Sequence, residues 1–519
     1  MQLLPTGRQV FEHIRNEKLL YVDKTDLIYK LITQGKTQFF LSRPRRFGKT
    51  LLCSTLTALF QGKRELFEGL AIDKTDWQWE SHPVIRLDMS QGDFDEGFAA
   101  LEDAINTQLM KSAKSLGLEL AGETLSTKFL NLILAAFEKY GKPTVVIIDE
   151  YDCPLLSVIS NKKAFEKNRD VLRDFYKIIK GSEEYLRFAF LTGITKFAQV
   201  SIFSALNNLT DITLDPEFAD ILGITQEELE RDFAEWIDLG VEELEFENKG
   251  AYLDKLKNFY NGYRFTKKEL TVYNPFGLLK HFDSKEFMPY WFESGSPGYL
   301  IKLLDEQKID ILNIEKSGVS YSDFKRYDSE NMDAVPILYQ SGYLTIVDYN
   351  EEFEEFTLDY PNTEVRTAFA NELSVKYLKI PRSEKNAFMV AMPRWLYTGD
   401  VESVMEKGFI PFMAEIPYNL AIKKEKYFQT IFHIIFRMFG FKCRSEIAIT
   451  TGRIDTLLET PKFVYCFEFK LDGTAAEALE QIDSKEYLTP WKGSGKTLIK
   501  IGASFDFEKR SIAEWKSMP

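Results

Sequence analysis

The stretch LSRPRRFGKTLL, Leu41 to Leu52, decides the fold of the first part of the chain. A phosphate loop of the pattern GxxxxGK[ST] holds phosphates with backbone N–H groups and a helix N-terminus, adds a lysine for the β and γ oxygens, and offers a hydroxyl to Mg²⁺. Gly48, Lys49 and Thr50 supply the second half of that pattern, whereas Arg43 stands where its first glycine is expected. The apolar run before the loop and the helical run after it predict a nucleoside triphosphate site shaped without that glycine.

A second stretch, TVVIIDEYD from Thr144 to Asp152, is an apolar strand that ends in Asp149 and Glu150. In P-loop ATPases the first such carboxylate supports the Mg²⁺ shell and the second polarises the attacking water, both at the carboxyl edge of a buried strand. The spacing of about a hundred residues from the loop, with one strand between, favours the additional-strand class. We therefore expect Thr50 and Asp149 to hold Mg²⁺ and Glu150 to act on the water.

A third apolar run, YLRFAFLTGITKF from Tyr185 to Phe197, predicts another buried strand that ends near Thr192. That position suits a polar sensor of the γ-phosphate, and a simple turn residue is the alternative. In the loop itself, Arg45 and Arg46 are candidates for phosphate contact or for transition-state charge, and a surface salt bridge is their alternative.

The end of the chain shows the order helix, three strands, helix and strand, which is the core of a restriction-endonuclease-like fold. Asp455 lies on the second strand, and Glu468 and Lys470 lie on the third, where alternation points both to one side. Two carboxylates so placed can hold Mg²⁺ against a scissile phosphate while the lysine orients the nucleophilic water or offsets developing charge. A helix bearing Gln481 and Lys485 follows in the expected order and favours the same fold.

Between these ends the pattern changes twice. In the first half, short apolar runs alternate with amphipathic stretches, which is typical of a parallel α/β sheet. From about Phe218 the chain becomes helical and charged, and Thr225 with Glu228 at the third helical position predicts a capped helix. A helix, a break at Gly342 and two alternating strands predict a winged-helix-like connector. The predicted segments are a P-loop ATPase domain over 1–217, a helical lid over 218–285, a mixed α+β connector over 286–375 and a restriction-endonuclease-like α/β domain over 376–519.

Six separated motifs occur in order: LPTGRQVFEHIRNEKLLYVDKTDLIYKLI, FFLSRPRRFGKTLL, VVIIDEYD, LTGITKF, FYNGYRF and VYNPF. Together they resemble the AAA-ATPase-like family of bacterial proteins that carry a C-terminal PD-(D/E)XK nuclease-superfamily domain. In that family the loop itself has the form RPRRFGKT, so Arg43 departs only from the general pattern. The resemblance spans essentially the whole chain and implies ATP and Mg²⁺ as cofactors.

The resemblance also implies the residues of the site in the C-terminal domain. To a metal-and-water site it assigns Asp455, Glu468 and Lys470, with Gln481 in support and with Asp455 and Glu468 as the metal ligands. A further acidic ligand is left open between Glu446 and Glu425. The predicted nucleotide site comprises Arg45, Arg46, Phe47, Gly48, Lys49, Thr50, Leu51, Asp149 and Thr192.

The composition sets bounds on the class of protein. The chain has 519 residues, a formal charge of -14 and 45% hydrophobic residues, enough for several globular domains. Without an apolar run of membrane-spanning length or a secretory signal, we expect a cytoplasmic protein with no membrane partner. Four cysteines without a CxxC pair argue against zinc chemistry. The acidic charge argues against a protein that coats nucleic acid, whereas a basic channel is compatible with it.

Two functions from different classes fit these patterns. The first is an ATP-binding and ATP-hydrolysing protein coupled to a Mg²⁺-dependent nuclease-like domain that acts on nucleic acid phosphodiesters. The second is a nucleotide-gated switch or scaffold whose nuclease-like domain binds without cleavage, and a small-molecule kinase is a distant third. We expect nucleic acid, DNA or RNA, as a partner and leave a homo-oligomer and a protein partner open. Ring assembly would need an arginine in trans, for which Arg187 and Arg264 are candidates.

Overall fold

The structure is a computed structural model of the 519-residue chain. It describes residues 1–92, 94, 98–159, 161–196, 208–293, 317–320, 334–378, 391–414, 425–506 and 511–519. The chain forms two compact units. The first consists of Met1–Gln307 and Lys316–Asn362, and the second of Lys308–Glu315 and Thr363–Pro519.

A five-stranded parallel sheet lies at the centre of the first unit. Its strands are β1 (Gln38–Ser42), β2 (Val84–Asp88), β3 (Thr144–Asp149), β4 (Leu186–Gly193) and β5 (Thr210–Asp211), in the order β2-β3-β4-β1-β5. Because β4 lies between the loop strand β1 and the carboxylate strand β3, the sheet has the arrangement of the additional-strand class. Every residue of β1 and β3 is buried, as in sheets covered on both faces.

Helices supply the crossovers that parallel strands require. Two helices, α1 (Phe11–Asn16) and α2 (Thr25–Thr33), precede β1. The connections between the strands contain α3 (Lys49–Phe60), α4 (Phe98–Ser115), α5 (Leu125–Tyr140), α6 (Cys153–Leu156) and α7 (Lys162–Gly181), with 3-10 turns at Arg64–Phe67, Ala71–Lys74 and Glu183–Tyr185. The ends of α5 show how local sequence sets the bounds. The Thr124 hydroxyl accepts a hydrogen bond from the Thr127 N–H at the start, and Gly141 ends the helix with φ 62°.

A helical segment follows the sheet. It contains α8 (Gln226–Asp232), α9 (Ala234–Glu243), α10 (Lys249–Tyr260), α11 (Pro275–Ser284) and α12 (Tyr290–Glu293). The capping box predicted at its start is confirmed: the Thr225 hydroxyl accepts from the Glu228 N–H, and the Glu228 carboxylate accepts from the Thr225 N–H. Apolar side chains from α8 to α11 pack into one core, with Leu229, Tyr252 and Leu278 fully buried.

The first unit also contains a helix and a small antiparallel sheet. Helix α13 (Ala334–Gln340) is followed by a left-handed turn at Gly342, with φ 88°. The strands are β6 (Ser317–Ser320), β7 (Thr345–Asn350) and β8 (Glu355–Asp359), in the order β6-β8-β7. The helix, the break and the hairpin lie where the sequence pattern placed them, and β6 is an addition.

The second unit contains a mixed five-stranded sheet. Its strands are β9 (Lys442–Ile449), β10 (Gly452–Glu459), β11 (Phe463–Lys470), β12 (Thr497–Asp506) and β13 (Ser511–Met518), in the order β13-β12-β11-β10-β9. Only β11 and β12 pair in parallel. The helices are α14 (Thr363–Leu378), α15 (391–398), α16 (Ile410–Ala414), α17 (Glu425–Met438) and α18 (Ala475–Ser484), with a π-helical segment at Ser403–Phe409 and a 3-10 turn at Thr489–Trp491.

The predicted fold class is confirmed. A P-loop-type parallel sheet occupies the first unit, and the order helix, three strands, helix and strand occupies the second, where β13 extends the predicted core by one antiparallel strand. The finer division into four segments stays a prediction. None of the helices in the described ranges is long and apolar enough to cross a membrane.

Candidate functional site

The phosphate loop, residues 43–48, connects the carboxyl end of β1 to the first turn of α3. Gly48 has φ 96°, and a Cβ there would strain the backbone whatever the space around it. Lys49 and Thr50 open α3, whose first N–H groups have no acceptor within the helix. The residues of the second half of the pattern therefore stand at a helix N-terminus, the position where phosphates bind in proteins.

Arg43, at the position of the missing first glycine, is buried with 1% of its surface exposed. Its guanidinium donates to the carbonyl oxygens of Ser42 at 2.9 Å, Thr213 at 2.8 Å and Phe218 at 3.2 Å. The same group lies 4.2 Å from the ring centroid of Phe265. Burial lowers the pKa of the Arg43 guanidinium to about 10. The side chain is thus committed to the protein interior.

The exposed residues of the loop are Arg45 and Arg46. The Arg46 guanidinium lies 3.8 Å from the ring centroid of Phe276, and burial together with the neighbouring Arg45 charge lowers its pKa. The Arg45 carbonyl accepts a hydrogen bond from Trp291 Nε1 at 3.0 Å. Neither arginine forms an ion pair with any residue that the structure describes, so both are still candidates for contact with a phosphate.

Phe47 is buried in the first unit, where its ring packs edge-on against those of Tyr263 and Phe265. It forms part of the wall of a cavity of about 110 Å³ that also touches Gly48 and Leu51. The other walls come from the N-terminal segment and the helical segment, among them Leu20, Tyr21, Val22, Lys24, Leu222, Gly223, Ile224 and Pro275. The sequence reasoning missed this cavity, although the motif YVDKT at 21–25 supplies three of its lining residues.

The Lys49 side chain is folded back onto the loop. Only 3% of the residue is exposed, and Nζ donates to the carbonyl oxygens of Arg43 and Pro44, each at 3.1 Å. The same nitrogen lies 3.3 Å from Glu150 Oε1. Glu150 has φ 50°, a left-handed conformation that a non-glycine residue rarely adopts and that costs on the order of 1 kcal/mol. Lys49 and Glu150, both predicted site residues, are therefore brought together.

The Asp149 carboxylate lies at the end of β3 and is fully buried. Neither oxygen has a hydrogen-bond partner in the described part of the chain. Burial and the adjacent Glu150 charge raise the pKa of Asp149 to about 6, while the Lys49 ammonium and the Thr50 hydroxyl, which lies close by but outside hydrogen-bond geometry, oppose part of that rise. A buried carboxylate without a donor, beside a hydroxyl, fits the oxygen ligands that Mg²⁺ prefers.

Polar contacts at the end of β4 connect it to β1 and to the turn after β3. The Thr192 hydroxyl donates to the Leu41 carbonyl at 2.8 Å, so its sensor role stays a prediction. Asp152, which the sequence reasoning missed, accepts from the Thr195 N–H at 2.6 Å and from the Thr195 hydroxyl at 2.7 Å. A Cβ at Gly193 would lie 2.3 Å from the Asp152 carboxylate, so a glycine is needed there. Burial and the Glu150 charge raise the pKa of Asp152 to about 6.

In the second unit, adjacent strands bring Asp455 and Glu468 together. Antiparallel pairing puts Thr456 opposite Phe467, which places Asp455 opposite Glu468 with both side chains on one face. Asp455 is 8% exposed and Glu468 is 1% exposed. Two buried carboxylates on neighbouring strands are an arrangement that holds a divalent cation together with phosphate oxygens.

Hydrogen bonds organise this carboxylate cluster, which we define as Asp455, Glu468, Lys470 and Gln481. The Asp455 carboxylate accepts from the Phe469 N–H at 2.8 Å. The Lys470 ammonium donates to Glu468 Oε1 at 3.0 Å and to Gln481 Oε1 at 2.7 Å. All four predicted residues thus meet at one place, with α18 contributing the glutamine that positions the lysine.

Of the two candidates for a further acidic ligand, only the Glu446 side chain lies within the described residues, and it is engaged in an ion pair. Glu446 pairs with Arg453 Nη1 at 2.6 Å. Glu425 opens α17, but its side chain lies outside the described residues. The described ranges contain no group of three or more Asp, Glu, His or Cys residues arranged to hold a metal ion. Lys485, expected on the helix, is the residue that follows its last turn.

The two arginines considered for a role in trans differ in accessibility. Arg264 is 6% exposed and donates to the carbonyl oxygens of Thr266 at 3.0 Å and Val347 at 3.3 Å, so its charge is used within the first unit. Arg187 is half-buried, and its guanidinium lies 5.9 Å from the ring centroid of Phe60 and 5.8 Å from that of Trp77.

Known proteins match both units of the chain. A family model described as predicted AAA-ATPase matches residues 5–203, and a model of the PD-(D/E)XK nuclease superfamily matches residues 423–515. The chain is 34% identical over 520 residues to a protein of Azotobacter chroococcum mcd 1 described as an uncharacterized protein in the vnfD 5' region. The alignment covers 98% of this chain and 97% of that protein. The first match contains the phosphate loop and the end of β3, and the second contains the carboxylate cluster. The chain therefore belongs to the AAA-ATPase-like family whose members carry a C-terminal PD-(D/E)XK nuclease-superfamily domain.

Proposed function

We propose that the chain binds and hydrolyses ATP with Mg²⁺ at the phosphate loop, and that its second unit cuts nucleic acid phosphodiesters with Mg²⁺. The observation that carries the first half is the Asp149 carboxylate, which is fully buried beside Lys49 and Thr50 without a hydrogen-bond partner among the described residues. A charge buried in that way is costly until a cation meets it. Asp149 and the Thr50 hydroxyl would hold the metal, which offsets charge on the phosphate oxygens.

The cavity beside the loop is proposed to take the adenine base. It touches Gly48 and Leu51, so a base bound there lies next to phosphates held at the N-terminus of α3. Apolar side chains such as Leu20, Ile224 and Pro275 supply most of the lining, which suits the flat faces of a purine. Arg45 and Arg46, which are exposed at the same loop, are proposed to contact the phosphate chain.

Two residues are proposed to act during hydrolysis. Lys49 exchanges the carbonyl oxygens of Arg43 and Pro44 for phosphate oxygens, because a full negative charge attracts its ammonium more strongly than a carbonyl dipole does. Once Lys49 has moved, the Glu150 carboxylate is released from its 3.3 Å contact and accepts a proton from water as that water attacks the γ-phosphorus. The bond from that phosphorus to its bridging oxygen breaks, leaving ADP and phosphate.

In the second unit, Asp455 and Glu468 are proposed to hold Mg²⁺ against the scissile phosphate of DNA or RNA. Lys470, held by Gln481 at 2.7 Å, is placed to orient the attacking water and to offset the charge that develops on the phosphate. Because ATP and nucleic acid are both substrates of the cell interior, the proposal places this hydrolase in the cytoplasm. A homo-oligomer or a protein partner is compatible with it.

A second function, a nucleotide-gated switch or scaffold, is favoured by one specific observation. The carboxylate cluster is already occupied by internal hydrogen bonds, from the Phe469 N–H to Asp455 and from Lys470 to Glu468. A cluster whose carboxylates each accept an internal hydrogen bond can remain folded without a metal and can serve for binding alone. In this alternative the first unit binds ATP, and the second unit holds nucleic acid or protein without cutting it.

The test is a cleavage assay with the full chain. Labelled single-stranded and double-stranded DNA and RNA are incubated with Mg²⁺ or Mn²⁺, with and without ATP, beside the variants Lys49→Ala and Asp455→Ala. The proposal predicts cleavage that Asp455→Ala abolishes, and an effect of ATP on cleavage that Lys49→Ala removes. Cleavage that survives Asp455→Ala would contradict the nuclease assignment. No cleavage by the wild type, together with ATP binding that depends on Lys49, would establish the switch instead.

A further inference from the structure

Arg43 connects the phosphate loop to two chain segments that lead to the cavity. Its guanidinium bonds the carbonyl oxygens of Thr213 and Phe218, in the segment that runs directly into Leu222 and Ile224 of the cavity wall. Its charge also lies over the ring of Phe265. One side chain thus touches two segments that are separated by about fifty residues in sequence.

The second of those segments leads to the same cavity. Tyr263 pairs with Val272 in an isolated antiparallel bridge, and Pro275, three residues further on, lines the cavity. Phe47, from the loop, packs against both Tyr263 and Phe265. Arg43 and Phe47, at two positions of the loop, therefore both contact the aromatic segment that contains Phe265.

The backbone of Arg43 carries the link onward to the phosphate side. Its carbonyl oxygen accepts a hydrogen bond from Lys49 Nζ at 3.1 Å. Its N–H donates to the Gly193 carbonyl at 3.1 Å, at the end of β4. Arg43 is thus bonded through its side chain to the segments around the cavity, and through its backbone to the lysine that is expected to meet the phosphates.

The chemistry of arginine explains why this residue type suits the position. A planar guanidinium with five N–H donors bonds several carbonyl oxygens at once in fixed directions, whereas a lysine ammonium presents one nitrogen and a glycine presents no side chain. The ordinary glycine of the pattern permits a tight turn but makes no connection to other segments.

We propose that Arg43 is a positioning residue that makes the phosphate loop and the walls of the cavity move as one body, so that a base in the cavity fixes the place of the Lys49 ammonium. This inference rests on the proposed binding of ATP at the loop. Its consequence is that the preference for ATP over AMP, which measures how well the loop holds the outer phosphates, depends on Arg43. A side chain that only stabilised the fold would change the affinities for both nucleotides together.

The decisive variant is Arg43→Gly, which restores the glycine of the general pattern. Affinities for ATP and for AMP, each with Mg²⁺, are measured by calorimetry on the full chain. Loss of hydrogen bonds from a charged donor predicts that ATP binding weakens by about 30-fold while AMP binding changes by less than about threefold. The control is Arg15→Lys, which alters another arginine that donates to two carbonyl oxygens, those of Leu66 and Glu68. It should leave the ratio of the ATP affinity to the AMP affinity unchanged.

A second variant protects the test against misfolding. Arg43→Lys keeps the charge and one donor nitrogen, and it is expected to lower the ATP-to-AMP ratio by about fivefold, between the wild type and Arg43→Gly. A ratio in Arg43→Lys equal to that of the wild type, or equal losses for both nucleotides, would overturn the inference. A wild-type chain that binds no ATP would overturn the proposed function instead, so the two failures are distinct.

Discussion

The phosphate-loop site and the carboxylate cluster differ in how their buried carboxylates are hydrogen-bonded. In the first unit the Asp149 carboxylate is fully buried without a hydrogen-bond partner among the described residues, although Lys49 lies nearby. In the second unit the Asp455 carboxylate accepts a backbone N–H, and Glu468 accepts from Lys470. The Asp149 carboxylate thus accepts no hydrogen bond within the described residues, whereas each carboxylate of the second site accepts one, and only the Oε2 atom of Glu468 is left buried without a donor there.

The first site therefore depends more strongly on a ligand than the second. A buried charge without a donor destabilises the folded state until a cation or a proton reaches it, so metal and pH should change the stability of the first unit. At the second site this driving force is smaller, because each carboxylate already accepts one hydrogen bond, and a metal there has to compete with those bonds.

The largest expected effect is that of Lys49→Ala on ATP binding. The ammonium is expected to form charge-assisted hydrogen bonds to phosphate oxygens, and losing two of them weakens binding by about 100-fold or more. Equilibrium binding of ATP with Mg²⁺ measures this loss. Lys36→Ala, which removes an exposed lysine shortly before β1, is the matched control and should leave the affinity unchanged. Equal affinities in wild type and Lys49→Ala would remove the loop from the nucleotide site.

Asp149→Asn tests the unsatisfied carboxylate through pH. The folded-state pKa of Asp149 is raised from 3.8 to about 6, so the carboxyl contributes stability below pH 3.8 that is lost as pH rises through about 6. The wild type should therefore lose about 1 kcal/mol of unfolding free energy relative to Asp149→Asn between about pH 5 and pH 8. Chemical denaturation at both pH values, without metal, measures the change. Parallel curves for the two proteins would contradict a raised pKa, and added Mg²⁺ with ATP should abolish the difference.

Gln481→Ala should have a moderate effect on the proposed cleavage. The Lys470 ammonium loses its 2.7 Å acceptor but keeps Glu468 at 3.0 Å, so it stays near the site with less restricted geometry. We expect cleavage to slow by about tenfold, the scale of a lost positioning contact. Glu480→Ala, at an exposed position on the same helix, is the control. A rate equal to that of the wild type would show that Lys470 needs no support from α18.

Thr192→Val should have the smallest effect. Its hydroxyl donates to the Leu41 carbonyl between two parallel strands, so its removal should cost about 1 kcal/mol of unfolding free energy. ATP hydrolysis should remain within about threefold of the wild type, because a hydroxyl committed to a backbone carbonyl is not offered to a phosphate. If hydrolysis fell at least tenfold while ATP binding stayed intact, the γ-phosphate sensor predicted from the sequence would be supported.

The strands, the loop and the carboxylates at the strand ends could be predicted from the sequence because each depends on a local pattern. Parallel strands bring their carboxyl ends to one edge, so a lysine after one strand and an aspartate at the end of another are expected to meet there. The same reasoning applies to Asp455 and Glu468, since alternation along two paired strands fixes which side chains share a face.

The hydrogen-bond partners of Arg43 and Thr192 could not be predicted from a local pattern. Two acceptors of the Arg43 guanidinium, the carbonyl oxygens of Thr213 and Phe218, lie about 170 residues further along the chain. No local pattern predicts which distant carbonyl oxygens will accept from it. The cavity could not be predicted for the same reason, because its walls come from segments that precede the strands of the sheet in sequence and from segments that follow them. For Thr192 the sequence gives the strand end but not the direction of the hydroxyl, which pairing with β1 turns towards Leu41.

The most direct test of the incomplete first site is a calorimetric titration of ATP into wild type and Asp149→Asn, each with Mg²⁺ and with a chelator. If Asp149 holds the metal, Mg²⁺ should tighten ATP binding to the wild type by at least about tenfold, or about 1.4 kcal/mol, and should leave binding to Asp149→Asn unchanged. The same gain from Mg²⁺ in both proteins would contradict the account, since the metal would then bind without the buried Asp149 carboxylate.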